Sequence, residues 1–153
     1  MGEYAFHITE NGSTITVTVL GREFPHLQDY WDGNQLSVQV EILLPGYTAN
    51  FGGTLLRTYE LERFASELKQ MYSTLKGKST LQPLEGAISL QAEVNKAGFV
   101  FWAGKMIYPS GGVNVLKFEL INDQTYLPDL IREMDTILEA FPIRGKRPES
   151  KRR

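Results

Sequence analysis

Two hydrophobic periods succeed one another along the chain: alternation at every second residue, then recurrence at every third or fourth, then both again. Ser13 to Leu20 sets Ile15, Val17 and Val19 against Thr14, Thr16 and Thr18, the pattern of a strand with one dry and one wet face. Tyr4 to Thr9 precedes it across Asn11-Gly12, a turn signal because both residues tolerate positive φ, so the two runs predict a hairpin. Gly21 to Gln35 follows as a loop containing Pro25. Leu36, Val38, Val40 and Ile42 then alternate with Ser37, Gln39 and Glu41. Pro45-Gly46 turns the chain into a fourth strand, Tyr47 to Arg57, where Gly52-Gly53 predicts a bulge or a close backbone approach.

The period changes at Leu61. Leu61, Phe64, Ala65, Leu68, Met71, Tyr72 and Leu75 form a helical stripe, with Gly77 placed to stop it. Alternation returns in Glu85 to Val94, Phe99 to Tyr108 and Val113 to Ile121, separated by turns at Asn95 to Gly98 and Pro109 to Gly112. Leu127, Leu130, Ile131, Met134, Ile137, Leu138 and Phe141 make a second stripe, with Pro128 in the first turn, where its missing N–H costs little, and Asp129 near the positive end of the helix dipole. The expected fold is therefore α+β: a single twisted, mainly antiparallel sheet of about seven strands, in the order ββββαβββα, with both helices on one face. Strands followed by a helix, twice over, also hint at an internal repeat.

Composition narrows the class. The chain has 153 residues, 42% of them hydrophobic, enough for one domain, expected over residues 1–141. No apolar run approaches the roughly 18 residues that span a bilayer. Met1-Gly2-Glu3-Tyr4 has no secretory pattern and cysteine is absent, so a cytoplasmic protein without thiol chemistry is expected. Net charge is −2, from 16 basic and 18 acidic residues. Six of the basic residues but only Glu149 of the acidic ones fall in the last twelve positions, leaving ten against seventeen, about −7, on the body. Residues 142–153, with Pro142, Gly145 and Pro148, read as a solvated, disordered basic tail. An acidic body disfavours nucleic acid and favours a basic protein partner.

Candidate chemistry is sparse. His7 and His26 lack the spacing of a metal pair, and His26, Asp29 and Asp32 form the one polar cluster, in a loop. No G-x-S-x-G is present, and Gly111-Gly112 opens a strand rather than a helix. Glu41, Glu85, Glu93 and Glu119 alternate with apolar neighbours as a solvent face does. No catalytic residue, cofactor or metal is expected. The aromatics Tyr30, Trp31, Tyr47, Phe51, Phe99, Phe101 and Trp102 belong mostly to the core, with Trp31 and Trp102 as half-exposed interface anchors. The partner-binding set is Asp29, Tyr30, Trp31, Asp32, Glu41 and Trp102. Two alternatives stand beside it. One is a ligand- or metal-binding protein or hydrolase using a pocket between Pro25–Asn34 and the sheet; the other is a homo-oligomer pairing an apolar sheet face with its own copy, for instance a homodimer.

Tyr30-Trp31-Asp32-Gly33-Asn34 before an alternating strand, Leu61-Glu62-Arg63-Phe64 opening a helix that ends near Leu75-Lys76-Gly77, Leu84-Glu85-Gly86, and Asp123-Gln124-Thr125-Tyr126-Leu127 opening the last helix together resemble the WapI-type family of small bacterial immunity proteins, from about Asp29 to Pro142. The resemblance implies a cytoplasmic protein encoded beside a contact-dependent toxin, binding and blocking that toxin's nuclease-like C-terminal domain. It implies no binding residues, and the basic tail lies outside the pattern.

Overall fold

The computed structural model describes residues 3–149, and among these eight strands and two helices follow the order ββββαββββα. β1 (Tyr4–Glu10), β2 (Ser13–Arg22), β3 (Gln35–Leu44) and β4 (Tyr47–Arg57) form one antiparallel sheet in sequence order; α1 (Thr58–Thr74) leads to β5 (Lys78–Leu81), β6 (Ile88–Val94), β7 (Phe99–Ile107) and β8 (Val115–Asp123), a second such sheet; α2 (Leu127–Ala140) closes the fold. Alternation holds where it is cleanest: Ile15 pairs with Ile42 and Val17 with Val40, all buried, while Thr14, Thr16 and Thr18 line the wetter face. One core joins both sheets and both helices.

The α+β class stands, but the single seven-stranded sheet does not. β5 is four residues long and turns only Ser79 and Leu81 inward, too few positions to carry a period. Ser79 is buried because its hydroxyl donates to the Phe64 carbonyl at 2.9 Å. No ladder joins the two sheets, and carboxylates from the helices occupy two of their strand edges. Glu67 of α1 accepts the Thr80 N–H of β5 at 2.8 Å, and Glu133 of α2 accepts the His7 N–H of β1 at 3.1 Å. An edge N–H already bonded cannot add another strand. Nor do the helices share one sheet face: each crosses over, α1 packing on the second sheet at β5 and α2 on the first at β1, and Lys69 bridges them to Asp135 at 2.7 Å.

Of the two readings of Gly52-Gly53 the close backbone approach holds, since a Cβ at Gly52 would lie 3.0 Å from the Val38 carbonyl, while the β3–β4 register slips at Leu55. Trp102 is not a half-exposed anchor: it faces inward from β7, is 1% exposed, and meets Phe64 edge-on at 6.4 Å while its Nε1 donates to Asn122 at 3.0 Å.

Candidate functional site

The connection between β2 and β3 is a loop whose shape is set by hydrogen bonds to its own main chain. Asp29 accepts the N–H groups of Asp32 at 2.9 Å and Gly33 at 3.2 Å, which favours its ionised form; the Asp32 N–H contributes most to holding its carboxyl below the usual range. The turn Asp32–Asn34 follows, and Gly33 is required because a Cβ would sit 2.8 Å from the Leu27 carbonyl.

Asn34 is fully buried. Its Nδ2 donates to the carbonyls of Tyr30 at 2.7 Å and Arg144 at 2.9 Å, and its Oδ1 accepts the Arg144 N–H at 2.9 Å. An asparagine amide thus pairs with Arg144 as a neighbouring strand would. Arg144 donates from its guanidinium to the carbonyls of Pro25 at 2.7 Å and Leu27 at 2.8 Å, and Arg22 at the end of β2 donates to Gly33 at 2.7 Å and to Pro142. Burial, and next the Arg144 charge, lower the pKa of Arg22. At Gly145 a Cβ would lie 2.9 Å from the Tyr30 nitrogen. Pro142–Gly145 is therefore a strap laid along the loop rather than the start of a solvated tail. Residues 150–153, the end of that expected tail, lie outside the described residues.

The surface so held presents exposed apolar side chains. Tyr30 stacks on Tyr59 of α1 at 4.3 Å and 8°, and Trp31 stands edge-on to Tyr30 at 5.0 Å and to Tyr59 at 6.2 Å. Phe24, Leu27 and Trp31 are each 41% exposed on this one loop. Glu23, Asp29 and Asp32 are exposed beside them in sequence.

Of the six residues expected to bind a partner, Asp29, Tyr30, Trp31 and Asp32 share this loop. Glu41 is exposed on the outer face of the first sheet, in register with Thr16 and Asn50, and Trp102 is in the core. Sequence reasoning missed Phe24 and Leu27, whose signal was two large apolar residues in a Pro-containing loop, and it missed Asn34 and Arg144, which share no local signal. In the His26, Asp29, Asp32 cluster the two carboxylates are committed elsewhere: both Asp29 oxygens accept main-chain N–H groups and Asp32 accepts Gln35 Nε2 at 2.8 Å. Among the described residues no three His, Asp or Glu side chains gather as metal ligands.

Residues 6–142 match the family described as Immunity protein WapI-like family. Among curated proteins none matches the chain. Of solved structures, the plant transcriptional regulator PBF-2 is similar with a TM-score of 0.56 and 11% identity, over 92% of this chain and 83% of that one. The MRP1/MRP2 structures from Trypanosoma bruciei give 0.51 and 11%, over 92% and 86%. At such identity the likeness is one of fold.

Proposed function

We propose, from the premise that this chain belongs to the WapI-like immunity protein family, that it acts in the bacterial cytoplasm as a non-enzymatic immunity protein. It binds a cognate toxin domain through the Glu23–Asp32 loop and covers that domain's working surface. The observation that carries the choice of surface is the exposure of Phe24, Leu27 and Trp31 on a loop braced from within by Asn34 and Arg144. Aromatic anchors on a rigid frame bind with little ordering entropy to lose. Outside the last twelve residues the body carries about −7, which steers a basic partner, as a nuclease domain that grips phosphate is, toward the molecule as a whole, while at the loop Arg22 and Arg144 offset Glu23, Asp29 and Asp32. Occlusion needs no catalytic group.

Co-expression with the toxin C-terminal domain encoded beside the chain tests the role. Growth rescue together with a stoichiometric complex is the expected outcome. Growth arrest with no complex in pull-down would remove the immunity role from this chain.

A further inference from the structure

The outer face of the second sheet has no part in the loop just described, yet it carries two exposed phenylalanines and an ordered array of charge. β7 alternates strictly: Val100, Trp102 and Met106 are buried, while Phe99 and Phe101 are 45% and 43% exposed on the other side. The register places Phe99 beside Asp123, Phe101 beside Ile121, Ala103 beside Glu119 and Lys105 beside Lys117. Along these four rungs Asp123 stands at one end, the apolar Phe101 and Ile121 rung follows with Glu93 beside it, Glu119 comes next, and the two lysines stand at the other end. A hollow of about 520 Å³, lined by Ser89, Gln91, Ala103, Lys105, Lys117 and Glu119, lies next to that apolar rung.

Lysines directly opposite one another on a sheet repel. Among the described residues neither Lys105 nor Lys117 enters an ion pair, and neither does Asp123, whose one oxygen accepts the Thr125 N–H at 2.9 Å and leaves the other to a partner. We infer that this face binds a second copy of the chain. A two-fold axis lying between the copies, across the strands and between the Phe101 and Ala103 rungs, reverses the rung order. Phe101 of one copy then enters the hollow at Ala103 of the other, Asp123 meets Lys117, Phe99 lies against the Lys105 ammonium, and Ile121 faces the stem of Glu119, whose carboxylate stays at the rim. Each contact occurs twice. The like-charge pair, which has Glu119 one rung away, gains a second carboxylate from the other copy, and two sheets with aligned strands pack face to face.

Sedimentation equilibrium on the intact chain at roughly 100 µM, a concentration at which a micromolar complex is nearly complete, tests the pairing. The expected mass is twice 17.3 kDa, with Phe101→Ser and Lys117→Asp each weakening association at least tenfold. Both side chains are exposed, so circular dichroism should be unchanged in either variant. A 17.3 kDa monomer in the wild type, or a dimer indifferent to both substitutions, would overturn the proposal. So would a monomer whose Phe101→Ser variant loses the toxin domain, because the face would then belong to that partner.

Discussion

Removing a buried amide leaves its former partners without hydrogen bonds, and main-chain groups already out of water then bear the cost. Asn34 has three such bonds, two of them to Arg144, 110 positions away. Asn34→Ala should lower unfolding free energy by about 2–4 kcal/mol in urea denaturation and speed tryptic cleavage after Arg144, whose main chain would lose its anchor. Unchanged cleavage would show that Arg22 and the Arg144 guanidinium hold the strap without it. Nothing local marks Asn34 for this task. After Asp32-Gly33 it reads as a turn residue, and it does stand in a turn, but the partner that makes it structural is an arginine in a segment with no periodicity. Asp29 misleads in the opposite direction. It resembles a surface carboxylate free for a partner, whereas its oxygens hold the turn, so reversing its charge would confuse binding with folding. Trp31 and Phe24 are the cleaner probes.

At the scale of elements, the long periodic segments were legible and the short or doubly committed ones were not. Both helices and the strands of seven residues or more announce themselves, because one dry face repeated over several turns or pleats fits a single period and no other. β5 escaped notice since its two inward positions include a serine that burial tolerates only through the Phe64 carbonyl. The division into two sheets was equally hidden, as were the edge contacts of Glu67 and Glu133, which in sequence are ordinary solvent-face residues of a helix. Glycine chemistry points to Gly77 as the end of α1, and Gly77 does take a positive φ of 90°, yet the cap itself is Leu75, also left-handed with φ 54° and ψ 35°. A leucine there bears about 1–2 kcal/mol of strain that glycine lacks, offset in part by the greater freedom of glycine when unfolded. Leu75→Gly should therefore raise stability by about 0.5 kcal/mol, read as a higher urea midpoint at unchanged slope. A lower midpoint would mean that the half-exposed leucine makes contacts worth more than the strain.

For the whole molecule, the crossing of each helix onto the other sheet makes the two halves interdependent: neither four-stranded unit has its edge covered without the helix of its partner unit. The internal repeat hinted at by the order of elements is present as architecture, four strands and a helix twice. The interdependence also stiffens the frame that carries the loop, since Tyr59 under Tyr30 and Thr58 bonded to the Asn34 carbonyl both belong to α1. An immunity protein that works by coverage needs such a fixed surface more than it needs reactive groups. Titration calorimetry of the toxin domain against the wild type and against Phe24→Ala and Trp31→Ala tests that claim most directly. Each substitution should weaken binding about tenfold or more, as loss of an aromatic anchor does, with thermal stability nearly unchanged. Full affinity in both folded variants would contradict the assignment and place the toxin on another face.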